Sequence, residues 1–242
     1  KIHKNTCQGI FLFWHRKGEN MQMNSLPENN FVEMTGVVVE DGVFSHEVYG
    51  EGFYRFYLLS ERLSEQSDIL PITVSERLLV DQDIQKGTHV KIKGQLRSYN
   101  NYSESKSRLV LTIFVREIVT LDTEVLQNCN EIQLHGFLCK PPIYRKTPFG
   151  REISDILLAV NRAYGKSDYI PCIAWGRNAR YIATLAVGTA ITLTGRVQSR
   201  TYTKKMGDTT EERTAYEVSI TKIALQTERE TVADQEDAIQ EN

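Results

Sequence analysis

The side chains in this sequence that could do chemistry are basic and aromatic, and they interleave. Between positions 145 and 205 run Arg145, Lys146, Arg162, Lys166, Arg177, Arg196, Arg200, Lys204 and Lys205. Tyr164 stands beside Gly165-Lys166 and Tyr202 beside Lys204-Lys205, both in polar contexts that offer a ring no core to enter. Taken singly, a surface cation is a solvated charge, and Tyr169 or Trp175 would suit a core as well as a surface. Together they alternate cations that neutralise phosphates with flat rings on which bases stack. That is the equipment for holding a single nucleic-acid strand without reading its sequence.

Other chemistries find little support. No Ser/His/Asp arrangement, phosphate loop or H-E-x-x-H motif occurs, so neither a catalyst nor a cofactor is expected. Cys129, His135 and Cys139 lie close in sequence, but a fourth metal ligand is not evident and buried thiols are the simpler reading. The four cysteines, with Cys7 and Cys172 completing the set, contain no C-x-x-C pair. This usage suits a reducing, cytoplasmic setting. No apolar run approaches 18 residues, which argues against a membrane-spanning helix.

Charge at first argues against a nucleic-acid partner, because the 242 residues carry a formal net charge of −2. The average hides a strong partition. Residues 131–227 hold fourteen Lys/Arg against eight Asp/Glu, a net of +6, whereas 31–130 hold ten against fifteen, a net of −5. The segment 228–242 adds −5 and 1–30 adds +2.

The elements that must position these residues come in two copies. At an offset of 100, Thr35-Gly36 answers His135-Gly136, the stretch from Tyr49-Gly50 to Arg62 answers Phe149-Gly150 to Arg162, and Leu70-Pro71-Ile72 answers Ile170-Pro171-Cys172. At 101, Lys86 to Gly94 answers Val187 to Gly195. Such agreement points to one domain repeated, near 31–127 and 131–227. In the second copy, Glu131–Leu138, Arg151–Arg162, Tyr169–Trp175, Thr189–Thr203 and Thr214–Gln226 alternate like strands. Pro141, Pro142 and Pro148 mark an irregular stretch, Asn178–Ala186 has helical spacing, and Gly207–Arg213 reads as a polar, turn-like linker. The expectation is an all-β protein with two tandem OB-fold barrels, five strands and one short helix each.

Three spaced blocks then carry a family resemblance: Gly150-Arg151-Glu152 through Asn161-Arg162, Asp168 through Arg177, and Gly188-Thr189 through Tyr202. In these blocks the sequence resembles bacterial single-stranded DNA-binding protein. The likeness covers 131–227 well and 31–127 only faintly. It implies base stacking on Tyr164, Tyr169, Trp175 and Tyr202, with the nine cations named above as phosphate contacts. It also implies single-stranded DNA as partner, in replication, recombination or repair. Ordinary members carry one such domain and form tetramers. A double-domain chain is similar to the minority that reach four OB folds as a dimer.

The first copy departs from the pattern. Ser64, Ile69 and Ser75 stand where the second has Tyr164, Tyr169 and Trp175. Its candidates are Tyr99 and Tyr102, near the position of Tyr202, with Arg97, Lys106 and Arg108 alongside. A weak site that also serves as scaffold is the expectation. A competing reading, from a different class, is an adaptor of the primosomal or conjugation-associated kind, whose OB folds chiefly hold proteins.

The ends of the chain carry expectations of their own. Residues 1–30 read as an N-terminal extension, either a disordered arm or, for 1–20, upstream sequence preceding a start at Met21 or Met23. Lys17-Gly18-Glu19 back-translates to a ribosome-binding sequence at a suitable distance. The acidic tail 228–242 suits disorder. It ends Ala238-Ile239-Gln240-Glu241-Asn242, without the Pro-Phe by which tails of the family dock into replication and repair enzymes.

Overall fold

The computed structural model describes residues 29–225, apart from 63, 65, 81, 104–105, 123–127 and 207–208. The expectations for 1–28 and for the tail lie outside the described residues. Twelve strands run in order: β1 Asn30–Val38, β2 Val43–Val48, β3 Glu51–Glu61, β4 Ser67–Ser75, β5 His89–Ser103, β6 Lys106–Thr120, β7 Asn130–Leu138, β8 Ile143–Lys146, β9 Glu152–Asn161, β10 Ser167–Trp175, β11 Ala190–Met206 and β12 Thr209–Leu225. Among the described residues one α-helix, α1, spans Gly176–Ile182.

Strand pairing closes two barrels. In the first, β1 pairs β5, β5 pairs β6, β6 pairs β4 in parallel at Ile72 opposite Ile113, β4 pairs β3, and β3 returns to β1 at Leu59 opposite Val37. The second repeats this circuit through β7, β11, β12, β10 and β9. These are five-stranded OB barrels in tandem, with α1 against the second, where Ala179 and Ile182 are fully buried. Closure needs glycine where β1 crosses β3. A Cβ on Gly36 would collide with the Leu59 carbonyl, and one on Gly136 with that of Ala159. The repeated Thr-Gly and His-Gly steps are therefore barrel-closing positions. Period-2 alternation fills both interiors, with Met34, Leu58, Leu70 and Ile92 in one and Leu134, Leu158, Ile170 and Leu193 in the other.

Three local readings need correction. Each copy holds a sixth strand, because the stretch after β1 or β7 returns as a short flap, β2 or β8, on β3 or β9. Among its described residues the first copy has no α-helix and makes a 3-10 turn over Glu76–Leu78. Val80 and Asp83, weak helix formers, stand where the second copy has Arg180 and Ala183. The polar stretch Gly207–Arg213 is mostly strand, since β11 and β12 pair out to Met206 opposite Thr209. It reads as linker because this arm projects past the barrel and buries neither face.

The barrels join edge to edge. β1 pairs antiparallel with β7, Val32 directly opposite Ile132, so residues one repeat apart meet on a local twofold. Matching clamps flank that axis. The Asn30 side chain exchanges two hydrogen bonds with the Leu96 backbone (2.7 and 3.0 Å), and Asn130 does the same with Val197 (2.8 and 3.0 Å). Farther out, Asp68 accepts from the Ser199 amide at 2.7 Å and Asp168 from the Ser98 amide at 2.6 Å, each reaching into the other barrel. Both aspartates are 0% exposed.

The two carboxylates nonetheless differ. Burial works against ionisation of Asp68, but the paired hydrogen bonds from Arg62 (2.7 and 2.6 Å) and the Ser199 contacts outweigh it and hold the carboxyl below its ordinary range. Burial dominates at Asp168 and pushes its carboxyl up. There Arg162 Nε lies 3.0 Å from Oδ2 without hydrogen-bonding alignment. The depressed group contributes stability above the ordinary carboxylate range, lost as pH falls through its folded-state value. The raised group costs stability at neutral pH, and the cost is relieved as pH falls through its own raised value. Asp68→Asn is therefore expected to cost about 3 kcal/mol at pH 7 and Asp168→Asn clearly less. Urea titrations at pH 7 and pH 5 check this; an equal or larger loss from Asp168→Asn contradicts it.

Candidate nucleic-acid interface

On β10 the side chains alternate between barrel interior and outer surface, and the outward set includes Tyr169, Pro171 and Trp175. Tyr169 and Trp175 are about half-exposed, six residues apart on one face, or roughly 20 Å along an extended strand. Trp175 is also the residue from which α1 starts, and Gly176 takes φ +55°, so the chain turns sharply behind the ring. Arg177 follows, exposed. The equivalent strand β4 presents Ile69, while Ser75 is buried and caps the 3-10 turn, accepting from the Arg77 amide at 3.2 Å and donating to Glu51. The first copy has turned its tryptophan position into a helix-turn cap.

Tyr164 sits at the tip of the β9–β10 connection with φ +61° and 99% exposure. The strained turn holds the ring out in solvent. With Arg162 and Lys166 it lines a groove between the barrels whose other wall is Tyr49, Gln95, Arg97 and Arg116 of the first barrel. Burial, together with the nearby Arg162, pushes the Arg97 guanidinium down from its usual value. Its plane also lies 4.6 Å from the Phe114 ring centre.

Tyr202 lies on the long β11–β12 arm, which reaches across the first barrel. It meets Tyr99 and Tyr57 in a cleft of about 700 Å³, with Pro71, Pro171 and Tyr216. Arg200 stands 5.6 Å from the Tyr202 ring centre and 3.6 Å from Glu217. By strand register Tyr202 answers Asn101 in the first copy, and Tyr99 answers Arg200. The cleft's aromatic lining is thus drawn from both barrels, at non-equivalent positions. Lys204 is half-buried on the same arm. The backbones of Tyr102 and Lys205 belong to β5 and β11, and their side chains lie outside the described residues.

The expected cations do not form one patch. Arg145 is bound to Asp155 at 2.8 Å on the flap β8, beside exposed Lys146. Arg162 and Arg196 approach the buried aspartates, Arg196 lying 3.7 Å from Asp68. Their first task is to compensate buried charge. Reading from sequence did not find Tyr49, Arg116 or Tyr57, since nothing local separates them from ordinary surface residues. Arg97 was visible only as a neighbour of Tyr99. Cys129, His135 and Cys139 have separate partners in the Glu33 carbonyl, Thr192 and the Leu157 carbonyl.

The model of the Single-strand binding protein family matches residues 129–226. Single-stranded DNA-binding protein B of Bacillus subtilis is 32% identical over 85 residues, 32% of this chain and 75% of that protein. This chain belongs to the single-strand binding protein family. Single-stranded DNA-binding protein A of the same organism is 35% identical over 85 residues, 32% of this chain and 49% of that protein. The chain thus spans about half the length of such curated relatives. The wild-type single-stranded DNA binding protein from Thermus aquaticus superimposes with a TM-score of 0.65 at 17% identity, covering 82% of this chain and 93% of that one. At that identity the likeness is one of fold, and its coverage exceeds what a single barrel could supply. The family match takes in all of the second barrel. The first barrel lies outside it, and its OB assignment rests on strand order.

A half-exposed tryptophan is directly observable. With Trp14 replaced by Phe, emission from Trp175 is expected to be red-shifted and strongly quenched by acrylamide in the free protein. Blue, unquenched emission would put the ring inside.

Proposed function

We propose that this protein binds single-stranded DNA without sequence preference and protects it during replication, recombination or repair, as a stoichiometric partner. The observation that carries this reading is the outward row on β10, Tyr169 and Trp175, within the family-matched barrel whose residues 131–227 have a net charge of +6. Bases stack on Tyr164, Tyr169, Trp175 and Tyr202, and Lys166, Arg177, Arg200 and Lys204 neutralise phosphates. Each stacked base contributes about 1–3 kcal/mol. The relatives' names support DNA as the strand, since stacking alone does not separate DNA from RNA.

The repeat units 31–127 and 131–227 divide the work. The first has a net charge of −5 over 31–130 and lacks the tyrosine and tryptophan positions of the second. It serves as scaffold and as a weaker site, with Tyr99 as its aromatic contribution. Two chains associate to bring four OB folds together in the cytoplasm, at the nucleoid. An adaptor that mainly held proteins would need neither the aromatic row nor the charge partition.

A fluorescence titration with dT oligomers tests the reading, alongside measurement of the oligomer mass. Wild-type protein is expected to bind with an affinity that falls with salt, at a log–log slope near 0.7 per phosphate neutralised. Trp175→Ala with Tyr202→Ala is expected to lose about 2–6 kcal/mol. Near-native affinity of that double variant removes the site, and absence of binding by wild type favours the adaptor.

A further inference from the structure

A groove beside the β1–β7 seam is strongly charged, and the twofold-related positions across the seam are not. The groove carries Arg97, Arg116, Arg162 and Lys166 around the buried Asp168, four cations over one carboxylate. Matching hydrogen bonds and register define the equivalent positions beside Asp68 as Gln198, Thr221, Arg62 and Gln66. There Arg196 replaces Gln95, but Glu61 replaces Asn161, so that side of the seam is close to neutral. Of the groove's two rings only Tyr164 follows that division, since an exposed ring, Phe149, also stands on the other side. Tyr164 answers Ser64, whereas Tyr49, almost fully exposed at φ +51°, has Phe149 as counterpart.

The state of the donors differs as well. Beside Asp68, Arg62 makes two aligned hydrogen bonds to the carboxylate. In the charged groove, Arg97 Nε, Arg162 Nε and Asp168 Oδ2 are buried with no aligned partner. Arg97 feels the repulsion of both Arg162 and Arg116. Those buried nitrogens face inward, and Arg97 also donates to Gln95 at 2.9 Å. The surplus positive charge that the crowded guanidinium groups present along the groove is what phosphate oxygens neutralise. The acidic first barrel has thus placed two of its ten cations where the basic barrel already holds two.

We propose that a bound single strand passes from the second barrel onto the first through this groove alone, its phosphates held by Arg97 and Arg116 opposite Arg162 and Lys166, with Tyr49 and Tyr164 flanking the crossing. This rests on the single-strand binding reading and adds a path to it. The strand's route is then one-sided, although the backbone is nearly twofold. The first barrel takes part through this groove, despite its net negative charge.

The test gives the groove the residues of its counterpart, Arg97→Gln with Arg116→Thr, in the full chain. Two dT lengths are used: about 10 nucleotides, within the span of one barrel, and about 30, enough for two. The expected result is unchanged binding of the short oligomer. For the long one, affinity should fall about tenfold and the salt slope should drop by about 1.4, for two phosphates. Tyr49→Gly, which keeps the positive φ and leaves the core untouched, should weaken only the long oligomer, by a few-fold. Equal binding of the long oligomer by wild type and both variants overturns the proposal while leaving the single-strand reading intact. A change in oligomer mass without a change in binding also overturns it, since the groove would then be a contact between copies. If wild type binds neither length, the underlying reading fails and the path with it.

Discussion

The antiparallel pairing of β1 with β7 is the constraint on which the rest of the structure depends. It joins the two barrels into one continuous twelve-stranded sheet and covers the first halves of β1 and β7, which the short closing contacts with β3 and β9 leave unpaired. Because Val32 lies opposite Ile132, the pairing also sets a twofold relation that every flanking contact must respect. Burying Asp68 and Asp168 follows from that placement. Each carboxylate replaces a missing backbone partner in the other barrel by accepting from the Ser199 or Ser98 amide, which no apolar side chain could do. The cations near them are committed to compensating that charge before they can meet a ligand.

On this common frame the copies have diverged at the surface while keeping their closure. Both retain the crossing glycine, a glycine at the register shift of the long hairpin (Gly94 in β5, Gly195 in β11) and the asparagine clamp, because each satisfies a contact that backbone geometry imposes. Outward positions carry no such demand. Trp175 in one copy is Ser75 in the other, and the same backbone site serves as an open ring surface or as the cap of a 3-10 turn. The longer β11–β12 arm brings Tyr202 to the same cleft as Tyr99, so aromatic lining comes from positions that are not equivalent.

How far the architecture was legible follows from the range of the forces involved. Alternation along β7, β9 and β10 is a local signal, and it located those strands to within a few residues. The repeat carried the same reading into the weaker first copy. The flaps β2 and β8 escaped because short edge strands bury neither face and leave no alternation. The arm over Gly207–Arg213 read as a linker for the same reason. The helix expected in the first copy failed for a local cause, since Val80 and Asp83 leave only a capped turn after Ser75.

By itself the sequence determined that this is a repeated all-β protein, that its positive charge is concentrated in the second copy, and that aromatic and basic side chains are stocked there. Those are properties of composition, period and spacing. Only the tertiary structure decided which of these residues meet. It tied Arg162 and Arg196 to buried aspartates and Arg145 to Asp155. It also brought Tyr164 and Lys166 to a groove with Tyr49, Arg97 and Arg116. The physical reason is that barrel closure and the β1–β7 seam join residues far apart in the chain, such as Asp68 and Ser199 across 131 positions. No local pattern encodes a contact of that range, whereas the twofold seam specifies it.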